Sequence, residues 1–217
     1  MMFPDVKIFI WDFDGTLYKP NRDLFHAVRE GEYRTIMELT HRTRDAAITE
    51  FEKLYKKATP SATQTVAKIC GITTTEAALY MEKYYDRRIF LQKDEKLVAL
   101  FKELKDVTHY ILANGVKYRI EETLNILGLS PNIFREIVTS ELSGENKPSD
   151  KGFKYILEKT KLPPSAHIMI GDREAVDLAP AKTLGMHTCL VWSDIKSAIS
   201  DVTLPSVYEI PSLFVTS

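Results

Sequence analysis

The sequence predicts a doubly wound α/β fold that is interrupted by a helical insertion. Several short runs rich in Ile, Leu and Val are apolar on both faces, which is typical of buried parallel strands. Between these runs lie segments whose apolar residues recur at the spacing of one helix face. Residues 19–90 show helical periodicity and no convincing strand. Strands that alternate with helices indicate a parallel sheet, and the strand-free stretch indicates a separate unit inserted into it.

The predicted elements of the sheet domain follow from these runs in chain order. Five strands are expected, the last of them short and followed by a helical turn, at Val6–Trp11, Thr108–Ala113, His167–Gly171, His187–Trp192 and Val202–Leu204. Helices are predicted over Lys117–Leu127, Asp150–Lys159 and Glu174–Leu184. Gly128 and Gly185 follow two of these segments and are expected to end them, since glycine favours the left-handed conformation at a helix terminus.

The inserted unit is expected to contain about four helices. Breaks are predicted at Gly31, at Thr59–Pro60 and at Gly71. The resulting division assigns residues 1–18 and 91–217 to the α/β domain and residues 19–90 to the all-helical insertion.

Composition excludes several classes of protein. The chain has 217 residues, is 44% hydrophobic and carries a net charge of −1, so it lacks the basic excess of a nucleic-acid binder. Cys70 and Cys189 are far apart, which argues against a zinc site or a disulfide framework. The sequence also lacks a signal-peptide pattern and an apolar run long enough to span a membrane. We therefore expect a cytoplasmic protein with neither nucleic acid nor membrane as a partner.

Polar residues follow three of the predicted strands at the edge where ligands bind in such sheets, and a loop before a predicted helix adds a lysine. They comprise four acids, one lysine and one amide, and they are Asp12, Asp14, Asn114, Lys147, Asp172 and Asp177. Four carboxylates brought to one edge need a cation to offset their repulsion. Mg²⁺ takes oxygen ligands and works with substrate phosphates, so it suits this set. Asp12 and Asp172 are expected on adjacent strands, where they could share it.

The motifs resemble those of the haloacid dehalogenase superfamily. The segments "DFDGT", "ANG", "KP" and "GDREAVD" occur in the family's order, and the insertion resembles its cap placed after the first motif. The resemblance implies that Asp12 is a nucleophile that forms an aspartyl-phosphate and that Asp14 is the general acid and base. It also implies Mg²⁺ bound by Asp12, the backbone carbonyl of Asp14 and Asp172. Lys147 would stabilise charge and hold Asp12, and Asp177 would orient the metal's waters or pair with Lys147.

One position departs from the family pattern. Ala113 stands where the family usually has a Thr or Ser hydroxyl that binds the phosphoryl group. Either the Asn114 side chain or the backbone N–H groups of Asn114 and Gly115 would replace it, or phosphate binding is weaker. Removing one such donor costs a few kcal/mol of transition-state stabilisation.

The function predicted from the sequence is a Mg²⁺-dependent phosphatase acting on a small phosphorylated metabolite. Asp14 favours phosphoryl transfer over dehalogenation, because family members that displace halide resemble this chain at the nucleophile but lack that second acid. Two alternatives remain open at this point. One is a phosphomutase, which returns the phosphoryl group to the substrate. The other is a catalytically weakened protein that binds Mg²⁺ or a partner, which Ala113 alone favours.

Overall fold

A computed structural model describes residues 2–58 and 61–214. The chain divides into two compact units, Met1–Lys19 with Gln92–Ser217 and Pro20–Leu91, which we call the core unit and the insertion unit. These bounds lie one residue from those expected at each junction. In the described part of the chain, no helix is both long enough and apolar enough to cross a membrane.

The core unit is built on a six-stranded sheet in which every neighbouring pair is parallel. Its strands are β1 (Ile8–Trp11), β2 (Thr108–Leu112), β3 (Phe134–Val138), β4 (His167–Gly171), β5 (His187–Val191) and β6 (Val202–Leu204). The order across the sheet is β3-β2-β1-β4-β5-β6, so the predicted doubly wound fold is confirmed. The order reverses between β1 and β4, and a crevice for ligands opens beyond the strand ends at such a reversal.

Strand β3 is missing from the predicted elements. Its sequence, "FREIV", carries Arg135 and Glu136 in the middle, so it does not match the continuously apolar pattern of a doubly covered strand. The strand lies at the edge of the sheet and pairs only with β2 among the described strands. An edge strand tolerates polar side chains that a central strand excludes. The predicted ends also need small corrections, because Val6, Ala113 and Trp192 lie outside the strands.

Helices cover the core sheet between its strands. Helices are numbered along the whole chain, so the first four belong to the insertion unit described below. Those of the core unit are α5 (Glu95–Glu103), α6 (Lys117–Leu127), α7 (Ser140–Ser143), α8 (Lys151–Thr160) and α9 (Ala179–Thr183). The predicted bounds of α6 are confirmed, and Gly128 ends that helix at φ +86°. Helix α8 is shifted by one residue at each end from its prediction. Neither α5 nor α7 was predicted, although the Asp94 side chain caps α5 by accepting from two backbone N–H groups.

The segment predicted as one helix over Glu174–Leu184 is helical over residues 174–183, but it is not a regular α-helix. A π-helical turn, Glu174–Leu178, precedes α9, and the N–H of Ala179 reaches the carbonyl of Glu174. Pro180 has no N–H to donate to the carbonyl four residues earlier, which removes one bond that a regular α-helix would need. Such π turns occur frequently at functional sites.

The insertion unit is all-helical, as predicted. It contains α1 (Arg22–Thr40), α2 (Arg44–Ala58), α3 (Ala62–Cys70), α4 (Thr74–Met81) and a 3₁₀ turn, Arg87–Phe90. The predicted break at Gly31 is wrong, because Gly31 lies inside α1, where a Cβ would meet the Tyr85 ring at 2.9 Å. The close approach of the Tyr85 ring therefore explains why this position inside the helix is a glycine. Gly71 does end α3, at φ +69°, and the predicted break at Thr59–Pro60 lies outside the described residues.

Candidate active site

The loop after β1 holds the first acid of the site. Asp12 is 2% exposed, and its backbone N–H donates to Ile170 of the neighbouring strand β4 at 2.9 Å. The Thr16 hydroxyl donates to Oδ2 of Asp12, also at 2.9 Å. Gly15 lets the loop turn at φ +89°, and a Cβ there would lie 2.5 Å from Oδ2 of Asp172. The loop therefore needs glycine at this position for both its conformation and its closeness to Asp172.

Lys147 is buried between two of the predicted acids. Its Nζ donates to Oδ1 of Asp12 at 2.6 Å and to Oδ1 of Asp177 at 2.7 Å. The side chain is 1% exposed, and lysine is almost never buried to this degree without such partners. Of the two roles expected for Asp177, the contacts match pairing with Lys147. Its Oδ2 accepts from the backbone N–H of Arg173 at 3.1 Å, which fixes the carboxyl at its other end.

Asn114 binds the backbone of Lys147 at both ends of its amide. Its Nδ2 donates to the Lys147 carbonyl at 2.8 Å, and its Oδ1 accepts from the Lys147 N–H at 2.7 Å. This pair of bonds ties the loop after β2 to the loop that carries the lysine. The Asn114 side chain thus has a positioning task already. By contrast, no oxygen of residues 2–58 or 61–214 accepts the backbone N–H of Asn114 or Gly115.

The charges of the site shift the pKa of each member differently. Burial alone would raise the pKa of Asp12, but the charges of Lys147 and Arg173 outweigh it and hold that pKa below its usual value. Burial opposes a charge on Lys147, yet Asp12 and Asp177 beside it raise its pKa. Burial and then repulsion from Asp12 raise the pKa of Asp177. Asp12 is therefore ionised at neutral pH, as a nucleophile must be.

Among the buried and half-buried acids, Asp172 is the one whose negative charge is offset least by the positive charges of Lys147 and Arg173. Burial and then repulsion from Asp12 and Asp177 raise its pKa from 3.8 to about 7. Its Oδ1 is buried and finds no hydrogen-bond donor among the described residues. A buried carboxylate oxygen without a donor is costly, so this atom marks the place where a further cation fits.

Three carboxylates of the site lie close enough to surround a metal ion. One oxygen from each of Asp12, Asp172 and Asp177 falls within 4.8 Å of the others. Asp12 and Asp177 share Lys147 and have donors on both oxygens, whereas Oδ1 of Asp172 lacks one. Hard oxygen ligands at this spacing suit Mg²⁺. The residues present therefore fit the predicted cation, which Asp12 and Asp172 would hold.

Asp14 differs from the other acids in being exposed. Its Oδ1 accepts a hydrogen bond from the hydroxyl of Tyr18 four residues later. Its carboxylate is not one of the three that cluster around Asp172, which agrees with the expectation that only its backbone carbonyl would meet a metal. A solvent-facing carboxyl at this position would be able to exchange protons with water, as the predicted general acid and base requires.

Several residues at the site were not singled out from the sequence. Arg173 lies among the carboxylates, with Nε 3.8 Å from Asp172 and 3.9 Å from Asp177, and that Nε has no hydrogen-bond partner among the described residues. When all four acids are ionised, Lys147 and Arg173 offset two of their four negative charges. A divalent cation would offset the other two. The only sequence signal for Arg173 is its position directly after the "GD" at the end of β4.

Trp192 supports the loop after β1 from the end of β5. Its indole N–H donates to the carbonyl of Thr16 at 2.9 Å, and Thr16 in turn bonds Asp12. The Trp192 backbone has φ +61°, a left-handed conformation that is unusual for a bulky side chain. Strained backbone of this kind tends to occur at functional sites. No periodic pattern in the sequence could reveal a contact between positions 16 and 192.

Known proteins resemble this chain over most of its length. Residues 6–185 match the model of the haloacid dehalogenase-like hydrolases. The HAD-hydrolase YfnB of Bacillus subtilis is 28% identical over 98% of this chain and 82% of its own length. Glyceraldehyde 3-phosphate phosphatase of Methanocaldococcus jannaschii is 33% identical, but the match covers 46% of this chain and 46% of that protein.

Solved structures share the fold. The HAD phosphatase of Thermococcus onnurineus superposes with a TM-score of 0.70 over 96% of this chain and 97% of its own, at 20% identity. At that identity the likeness concerns the architecture alone. The family match spans strands β1 to β4, the loops that carry the acids, and the insertion unit. The chain belongs to the haloacid dehalogenase-like hydrolases.

Proposed function

We propose that this hydrolase is a Mg²⁺-dependent phosphatase that acts on a small phosphorylated metabolite through a phosphate ester of Asp12. The observation that carries the proposal is Lys147, buried between Asp12 and Asp177 at 2.6 and 2.7 Å. This pairing keeps Asp12 ionised inside the protein. A purely structural role offers little reason to bury a lysine and two acids beside a further acid whose pKa is raised to about 7.

The reaction proceeds in two displacements at phosphorus. In the first, a carboxylate oxygen of Asp12 attacks, the bond from phosphorus to the ester oxygen breaks, and Asp14 gives its proton to the departing alkoxide. In the second, Asp14 takes a proton from water as that water attacks phosphorus. The bond to Asp12 then breaks, which releases inorganic phosphate and restores both carboxyl groups.

The cation would be held by Asp12, Asp172 and the backbone carbonyl of Asp14. When bound, Mg²⁺ neutralises charge as the phosphoryl oxygens approach a carboxylate. Asp177 stays with Lys147 and keeps the ammonium group beside the nucleophile. Oδ1 of Asp172, which lacks a donor among the described residues, is the ligand atom that would gain most.

The backbone N–H groups of Asn114 and Gly115 are the proposed phosphate donors at the end of β2. The Nδ2 and Oδ1 atoms of Asn114 are both hydrogen-bonded to the Lys147 backbone, which favours the backbone N–H groups as the phosphate donors. Ala113 supplies no hydroxyl, so binding of the phosphoryl group depends on these amides, on Lys147 and on Arg173. Backbone amides after a strand form good anion sites.

The proposed substrate is a small phosphate ester, in keeping with the phosphatase relatives of this chain. The similarity to a glyceraldehyde 3-phosphate phosphatase, which covers under half of each chain, supports this class. Sugar phosphates, phosphoglycolate and nucleoside monophosphates all fall within the class.

A screen of phosphorylated metabolites for release of inorganic phosphate tests the proposal. We expect release from at least one ester with Mg²⁺ and none with EDTA. Asp12→Asn should abolish it, while Asp106→Asn, which removes an exposed carboxylate elsewhere in the core unit, should not. A phosphomutase would convert substrate without releasing phosphate. Release that persists in Asp12→Asn would contradict the assignment of the nucleophile.

A further inference from the structure

Tyr18 makes a contact that the reaction scheme does not explain. Its hydroxyl donates to Oδ1 of Asp14, the acid that the scheme uses as proton donor. The Tyr18 ring is 5% exposed and packs edge-on against Phe13, with ring centroids 5.6 Å apart. The backbones of Asp14 and Tyr18 also pair in an isolated bridge. Two independent contacts therefore join the same two residues.

We propose that Tyr18 is the positioning residue for the general acid, and that its hydroxyl fixes the Asp14 carboxyl in the orientation that delivers a proton to the leaving oxygen. This inference rests on the proposed function. It concerns a hydrogen bond to Asp14, and it is separate from the nucleophile, the lysine and the cation. Because Oδ1 accepts the tyrosine hydrogen bond, the transferable proton resides on Oδ2.

The physical need for such a residue follows from the exposure of Asp14. An exposed carboxyl samples many orientations and is solvated by water, whereas proton transfer in a transition state requires one defined geometry. The Tyr18 ring is anchored by burial, so its hydroxyl presents a fixed donor to a mobile acid. As Asp14 gives up its proton it becomes a carboxylate, and a hydrogen bond to a carboxylate is stronger than one between neutral groups, so this contact strengthens during the transfer.

The chemistry of the leaving group separates this role from a structural one. As the ester bond breaks, its electron pair moves to the leaving oxygen, which takes the proton from Asp14. Phenolate needs that proton more than p-nitrophenolate, which delocalises its own charge. A residue that positions the acid should therefore affect phenyl phosphate more than p-nitrophenyl phosphate. A residue that only stabilises the fold should affect both esters alike.

The experiment measures kcat/KM for both esters with Mg²⁺ in wild-type protein, Tyr18→Phe, Asp14→Asn and the double variant. The ratio kcat/KM reports the steps up to transfer to Asp12 and so isolates the acid step. We expect Tyr18→Phe to lose about tenfold on phenyl phosphate and no more than about threefold on p-nitrophenyl phosphate. Asp14→Asn should lose more in the same direction, and Tyr18→Phe should add little to it.

Two controls keep the result interpretable. Tyr155→Phe removes another tyrosine-to-carboxylate hydrogen bond of the core unit, to Glu136 at 3.1 Å, and should change neither ester. Melting temperatures show whether Tyr18→Phe is folded, since it keeps the ring that packs on Phe13. Equal losses on both esters, no loss on either, or fully additive losses in the double variant overturn the role of Tyr18. Wild-type protein that hydrolyses neither ester, or an Asp12→Asn variant as active as wild type, overturns the proposed function and the role of Tyr18 with it.

Discussion

Replacing Asp172 with asparagine should make the metal-free protein more stable while removing its response to Mg²⁺. Asparagine has the shape of aspartate but carries no charge, so it ends the repulsion from Asp12 and Asp177 that the fold sustains. The buried Oδ1 that lacks a donor loses its formal charge as well. The substitution therefore gains stability and loses the carboxylate that would bind Mg²⁺.

The magnitude follows from the shifted pKa of Asp172. Burial, and then Asp12 and Asp177, raise that pKa from 3.8 to about 7 in the folded protein. Between these values the folded protein keeps a proton that the unfolded chain has lost, so wild-type stability falls as pH rises and levels off above pH 7. At roughly 1.4 kcal/mol per pH unit the full difference amounts to ~4 kcal/mol. The Asp172 side chain is 28% exposed, so solvent screening reduces the expected gain to about 1–3 kcal/mol.

Urea unfolding with EDTA between pH 4 and pH 8.5 measures the gain. Asp172→Asn should exceed wild type above pH 7, and the gap should narrow toward pH 4, where the folded aspartate is neutral and the unfolded one is only about half ionised. Adding Mg²⁺ at about 100 times its Kd should stabilise wild type by ~2.7 kcal/mol and the variant much less. Asp106→Asn, at an exposed site, should follow wild type throughout. A variant that is less stable than wild type at pH 8 in EDTA, or a gap independent of pH, would refute the reasoning.

Three further substitutions test other parts of the site. Ala113→Thr restores the hydroxyl that the family usually has and should strengthen competitive inhibition by inorganic phosphate about tenfold; unchanged inhibition would show that no donor is missing there. Trp192→Phe removes the indole N–H that holds the Thr16 carbonyl and should lower kcat about tenfold with little change in melting temperature; full activity would leave that contact without a catalytic role. Gly15→Ala places a Cβ 2.5 Å from Asp172 at φ +89° and should cost ~1–3 kcal/mol in urea unfolding and weaken Mg²⁺ binding; a neutral effect would contradict the need for glycine.

Much of the fold could be predicted because buried strands and the apolar faces of helices produce recognisable patterns in the local sequence. The run before Asp12 and the run before Asp172 are continuously apolar, since both strands lie inside the sheet with covered faces. The segment 134–138 escaped prediction because an edge strand carries Arg135 and Glu136. The position of Gly31 inside a helix was not predicted either, because only its packing against Tyr85 explains a glycine there.

The candidate site was predictable where it depends on topology. Parallel strands end at one edge of the sheet, so Asp12 and Asp172 were expected to meet there whatever the side-chain details. The contacts of Tyr18 and Trp192 depend instead on loop conformation and on single rotamers, which no spacing encodes. The amide of Asn114 was expected to face phosphate or to leave that task to the backbone, and its two bonds to the Lys147 backbone could only be seen in three dimensions.

The central claim is that Asp12 carries the phosphoryl group between substrate and water. Mass spectrometry of acid-quenched enzyme tests it most directly, with Asp14→Asn as the starting protein, because loss of the water-activating base should let the intermediate accumulate. After mixing with p-nitrophenyl phosphate and Mg²⁺, we expect one phosphoryl group on the peptide that contains Asp12, and none with EDTA or in the Asp12→Asn, Asp14→Asn protein. A phosphoryl group on a different residue, or wild-type turnover with no trapped adduct under any quench time, would contradict the account.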